Sequence, residues 1–175
     1  MRIYFFLFIL IFLGTSVLAQ ETNSKKGLSK LPHTTVTDLK GNKVNTSTFS
    51  NEGKPFIISF WATWCKPCVK ELSTIAEVYE DWQAETGVKI YAISIDDSRS
   101  SAQVKTLVNG KGWEYEVYLD QNSDLKRALN VNIVPQTFVA NGKGEIVWQH
   151  TGYSEGSELE LISVVKKLNA GEPVL

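Results

Sequence analysis

Cys65 and Cys68 are the two cysteines of this 175-residue chain, and two residues, Lys66 and Pro67, separate them. Two thiols at that spacing can trade electrons with a partner disulfide. One thiolate attacks, a mixed disulfide forms, and the second thiol releases it. As a structural staple the pair is poor, because closing a four-residue loop stabilises a fold by only about 2 kcal/mol. As half of a zinc site it needs two more ligands. The nitrogen ligands are His33 and His150, at no standard zinc spacing, so no metal is expected.

The residues around the pair predict how it is held. Pro55 to Trp61 is a nearly continuous apolar run, as a central buried strand requires. Ala62-Thr63-Trp64 then leads into Cys65, and helical periodicity runs from Cys65 to about Glu85. Leu72, Ile75, Ala76, Tyr79 and Trp82 fall on one stripe at spacings of three and four, and Gly87 ends the helix. Pro67 suits a first turn, where its missing N–H has no intrahelical partner. Cys65 thus falls at or near the N-cap. The partial positive charge and free N–H groups there favour a thiolate, and Lys66 adds a cation. Cys65 is expected to be an exposed nucleophile of low pKa and Cys68, one turn in, a buried resolving thiol. Trp64 is expected as a half-exposed platform beside Cys65, with Trp61 packed beneath. A lone C-x-x-C is a weak signal; one that follows a strand and opens a helix in a βαβ pattern is the redox context.

The remaining elements alternate. Thr34–Leu39 and Lys43–Val44 form a hairpin across Lys40-Gly41-Asn42, and a short helical turn covers Asn45–Ser50. Val88–Ile95 is a second buried strand. A helix over Ala102–Asn109 is stopped by Gly110. A strand at Tyr115–Leu119 and a helix at Ser123–Leu129 follow. Gln136–Ala140 and Glu145–Gln149 form a hairpin around Asn141-Gly142-Lys143-Gly144. Glu158–Asn169 closes the chain with Leu159, Ile162, Val165 and Leu168 inward and Gly171 past its end. The order predicts an α/β fold with a mixed sheet and helices on both faces.

Residues 1–19 read as a secretory signal peptide. Arg2 precedes an apolar run from Ile3 to Leu13, and Val17-Leu18-Ala19 ends small, predicting a cut before Gln20. An uncleaved anchor is the alternative, but Ile3 to Ala19 is only 17 residues, the short limit for a span. Residues 20–30 read as a polar tether and 31–175 as one domain with one core. The net charge is −1, so no nucleic-acid partner is expected.

Phe60-Trp61-Ala62-Thr63-Trp64-Cys65-Lys66-Pro67-Cys68 resembles the active-site segment of the thioredoxin superfamily. Val134-Pro135-Gln136-Thr137-Phe138, about 70 residues on, resembles its cis-proline segment. The N-terminal hairpin, the Trp-Ala-Thr-Trp run and the polar insertion from Asp96 to Trp113 resemble the exported TlpA/ResA-like branch. The resemblance covers about Leu31 to Leu168. It implies a thioredoxin fold, a redox-active Cys65–Cys68 disulfide, and a cis Val134–Pro135 bond beside Cys65, with Val134 offering its backbone to an extended substrate. A cis X-Pro bond costs only about 0.5–1 kcal/mol. Thioredoxins proper carry a buried Asp where this chain has Ser59. In the ResA-like branch a Glu three residues after the second Cys substitutes, which implies that Glu71, on the Cys68 face of the helix, handles its proton.

The function expected is reduction of protein disulfides in the cell envelope, at the periplasm or outer face of the cytoplasmic membrane. Cytochrome c maturation is a role of that branch, so apocytochrome c is an expected substrate. No nucleotide fingerprint or second redox pair is present, so no cofactor is expected and electrons come from a partner; the resemblance implies a membrane thiol donor. The alternatives are a disulfide oxidase or isomerase, and a thioredoxin-fold binding module without turnover. DsbA-like oxidants place a His between their cysteines, where this chain has Lys66 and Pro67. The peroxidatic Pro-x-x-x-Thr-x-x-Cys context is missing.

Overall fold

Phe56–Trp61, the apolar run ahead of the cysteines, is the fourth strand of an eight-stranded sheet and is buried along its whole length. The computed structural model describes residues 29–174; the expected leader, and the tether as far as residue 28, lie outside the described residues. The strands are β1 (Ser29–Lys30), β2 (Thr35–Asp38), β3 (Lys43–Asn45), β4 (Phe56–Trp61), β5 (Lys89–Ser94), β6 (Glu116–Leu119), β7 (Gln136–Ala140) and β8 (Glu145–Thr151). The helices are α1 (Lys66–Ala76), α2 (Tyr79–Thr86), α3 (Ser101–Lys111), α4 (Asp124–Ala128) and α5 (Ser157–Asn169), with a 3-10 turn at Thr46–Thr48.

The sheet order is β1-β8-β7-β4-β5-β6-β2-β3. β4, β5 and β6 run parallel, and β7 runs antiparallel to β4. Alternation along β4 splits the core in two. Ile57 and Trp61 pack under α1, α2, α3 and α5. Phe56, Ile58 and Phe60 face the other layer, with Leu125 of α4 and Phe49. This is the predicted mixed sheet with helices on both faces.

Four expectations are corrected. Ser29 and Lys30, read as tether, pair with Ile146 and Glu145 at the edge of the sheet. The helix read from Cys65 to Glu85 is two helices, broken at Glu77–Val78, where the Val78 N–H reaches back only three residues to Ile75. The apolar stripe continues through the break, since Tyr79 and Trp82 stay buried, so periodicity carried no sign of it. Gly110 does not stop α3; the helix runs to Lys111 and ends on Gly112, whose φ of 65° is the left-handed terminator. On α5 Ile162, Val165 and Leu168 pack inward as expected, joined by Leu161 and Val164, while Leu159 is 68% exposed. A run of spacings of three drifts by about 60° per step on a 3.6-residue helix. Leu159 and Leu168 therefore lie on opposite sides.

The loop between β7 and β8 packs tightly on the body. A Cβ on Gly142 would lie 1.8 Å from the Gly53 carbonyl oxygen, so only glycine fits. That contact seats the β7–β8 hairpin against the loop that leads into β4.

Candidate active site

β4 delivers the chain to the top of the sheet at Trp61, and the next residues turn. The Cys65 N–H donates to the Ala62 carbonyl at 3.1 Å. Cys65 is then the N-cap of α1, with extended backbone, and Pro67 lies in the first turn. Cys65 and Cys68 are joined as a disulfide. The Cys68 N–H points at Cys65 Sγ from 3.3 Å. That is a cap hydrogen bond with sulfur in place of the usual oxygen. Once the disulfide opens, the same N–H and the helix terminus face a Cys65 thiolate.

Exposure differs from the expectation in one respect. Cys68 is fully buried, as read, but Cys65 retains only 6% of its surface. Its sulfur is bonded to Cys68 on one side, and the Val134 carbonyl oxygen lies 3.8 Å away on the other. Trp64 is 64% exposed beside it, and Trp61 is buried beneath, edge-on to Trp113 with centroids 5.1 Å apart.

The Val134–Pro135 peptide is cis. Its place beside Cys65 follows from the sheet. β7 runs antiparallel to β4 with Gln136 opposite Phe60, so the start of β7 meets the end of β4. Gln136 anchors the segment by donating to the His150 carbonyl at 2.9 Å and accepting from the Thr151 hydroxyl.

Glu71 is 5% exposed and turns into the protein. Thr137 Oγ1 donates to Glu71 Oε1 at 3.1 Å and lies 3.5 Å from Ser59 Oγ. The carboxyl thus reaches from α1 to the part of the sheet where Ser59 stands opposite Thr137. Burial pushes its pKa up from 4.5 to about 7; the Thr137 hydrogen bond pulls the other way, and the Glu158 charge adds to the rise.

Sequence reading missed Asp96. It is completely buried. Its carboxylate accepts from the Thr63 N–H at 2.9 Å, the Thr63 hydroxyl at 2.6 Å and the Ser94 hydroxyl at 2.8 Å. It therefore clamps the loop immediately ahead of Cys65 to the end of β5. The available signal was an acid directly after a buried strand in a fold whose site lies at strand C-terminal ends.

Comparison with known proteins agrees with this geometry. The AhpC/TSA family profile matches residues 28–149. The thiol-disulfide oxidoreductase ResA of Bacillus thuringiensis (strain Al Hakam) is 33% identical over 129 residues, covering 74% of this chain and 72% of that protein. ResA of Bacillus subtilis (strain 168) is 30% identical over 137 residues, covering 78% and 73%. The solution structure of an uncharacterized thioredoxin-like protein from Porphyromonas gingivalis is 52% identical and superposes with a TM-score of 0.72, covering 80% of this chain and 92% of that one. The matched residues carry the Cys65–Cys68 disulfide, its helix N-terminus and the cis-proline segment, and on that evidence the chain belongs to the AhpC/TSA family, as a ResA-like thiol-disulfide oxidoreductase of thioredoxin fold.

Proposed function

We propose that this oxidoreductase works in the reducing direction in the cell envelope, on disulfides of exported proteins, with apocytochrome c among its substrates. One observation carries the exchange step of that reading. The resolving Cys68 shares a helix face with Glu71, a buried carboxyl whose pKa of about 7 lets it both take and return a proton near neutrality. The leader expected at residues 1–19 supports export, and the named ResA relatives support the class of reaction.

The Cys65 thiolate attacks one sulfur of a substrate disulfide, and the other substrate sulfur leaves as a thiolate. Val134 pairs with the extended backbone around the attacked cysteine, and Trp64 covers its apolar neighbours. The Cys68 thiol gives its proton to Glu71 and attacks Cys65 Sγ. The Cys65–Cys68 disulfide forms, the second substrate sulfur departs, and Glu71 returns the proton to it. Two electrons have passed to the substrate. A dithiol donor, proposed to be a membrane-embedded thiol carrier, resets the pair.

Equilibration with glutathione tests the direction. A reductant is expected to have a potential near the thioredoxin value of about −270 mV, and a value near about −120 mV would make the protein an oxidant instead.

A further inference from the structure

Beside the redox pair, helices α1 and α3 enclose a groove of 470 Å³ that opens at Thr63, two residues before Cys65. Val69 and Leu107 form its apolar floor, and Lys66, Lys70 and Lys111 stand along it. No acidic residue lines it among the described residues. A second hollow continues it along α3, again from Thr63 and Leu107. All three lysines are exposed, and none forms an ion pair among the described residues. The whole chain carries a net charge of −1, so this is a local excess of positive charge.

Two of the lysines stand where their helix does not favour them, while Lys111 lies in the last turn of α3, where the dipole suits a cation. Lys66 and Lys70 are four apart on one helix, an arrangement in which like charges repel by about 0.2–0.5 kcal/mol. Lys66 also occupies the first turn of α1, where the helix dipole disfavours a cation. An anion seated in the groove relieves both penalties. Apolar floor, cationic rim and a place flanking Cys65, with Thr63 and Lys66 both in the lining, together suit one kind of occupant.

We propose that the groove between α1 and α3 binds an acidic, leucine-like stretch of the partner protein flanking the cysteine that Cys65 attacks. Its aliphatic side chain rests on Val69 and Leu107, and its carboxylates meet the three lysines. This inference rests on the redox reading only for the partner's identity, so its test measures binding without chemistry.

The probe is a fluorescent peptide of glutamate and leucine lacking cysteine, followed by anisotropy with the full chain. The double variant Lys70→Glu/Lys111→Glu is expected to weaken binding at least about tenfold, and raising salt to about 0.5 M to weaken it comparably. A matched lysine–leucine peptide is expected not to bind. Lys70→Gln/Lys111→Gln provides a milder variant should charge reversal disturb the fold. Absent binding of the acidic peptide, equal binding to wild type and variants, or tighter binding to phosphatidylglycerol vesicles than to peptide would each overturn the proposal. Reduction of a small disulfide such as dithiobis(nitrobenzoate) is read in parallel. If that rate is normal while peptide binding is absent, the groove proposal fails alone. If peptide binds and the small disulfide is untouched, the redox reading fails alone.

Discussion

Thr137 Oγ1 donates to Glu71 Oε1 across 3.1 Å, tying β7, two residues past Pro135, to α1, three residues past Cys68. The second carboxyl oxygen, Oε2, is covered and has no hydrogen-bond partner among the described residues. One hydrogen bond does not offset the water lost by a buried anion. The acid is therefore held largely protonated up to a pKa of about 7.

That shift makes stability depend on pH. Because the folded-state pKa lies above the unfolded value of 4.5, the protonated carboxyl's contribution is complete below that value and is lost as pH rises through about 7. The loss amounts to about 3 kcal/mol at most. Glu71→Gln is expected to remove this slope. Urea unfolding at about pH 5 and about pH 8 should show wild type losing more stability than the variant over the interval. Parallel losses would mean that Glu71 does not titrate there.

The same substitution tests the proton step. With Glu71 as base, the rate at which Cys68 resolves a mixed disulfide rises through the carboxyl's pKa. Glu71→Gln should slow resolution by about tenfold or more near neutral pH and erase that inflection, with Cys65 alkylation little changed. Rapid-quench measurement of the mixed disulfide across pH reads it. An unaltered profile assigns Glu71 to packing alone.

Cys68→Ala should leave substrate bound to Cys65, and Cys65→Ala should capture none. Non-reducing mass spectrometry after incubation with envelope proteins distinguishes the two. Failure of Cys68→Ala to form any adduct, with its fold intact by circular dichroism, would point to the binding-module reading.

Asp96 should matter to both stability and reactivity. Asp96→Ala strands the buried Ser94 hydroxyl, at a cost of about 1–3 kcal/mol for a buried group left unsatisfied, and releases the half-buried Thr63 N–H and hydroxyl. The loop ahead of Cys65 loses its anchor, so the cap geometry that favours the thiolate relaxes. Denaturant unfolding should show the loss, and the pH dependence of Cys65 alkylation should shift. A stable variant with an unshifted thiol would reduce Asp96 to a bystander.

The redox half of the site was legible because its signals are local. Strand, turn, Cys65, Pro67 and Cys68 follow one another, and each has its own steric or electrostatic reason to be there. The cis-proline segment needed a family resemblance, since nothing local says that Gln136 lies opposite Phe60. Asp96 was invisible for the same reason. Its three donors come from Thr63 and Ser94, and only parallel pairing of β4 with β5 brings Thr63 within reach. The misplaced Leu159 of α5 has a different origin. Apolar residues spaced evenly by three, from Leu159 to Leu168, look like one stripe on paper but wind around the helix, and the sheet buries the adjacent pairs Leu161–Ile162 and Val164–Val165.

Both outermost strands of the sheet, β1 and β3, are supplied by residues ahead of Cys65. Ser29 meets Ile146, 117 positions later, and Thr37 meets Leu119. A chain made from its N-terminus can pair β2 with β3 at once, but that hairpin waits for Leu119 and Ser29 waits for Ile146. Closure is long-range and correspondingly slow. Until Ser29 docks, the β8 rim stands open as a template for stray strands, so a strand of two residues, paired with partners more than a hundred positions away, covers that rim of the finished sheet.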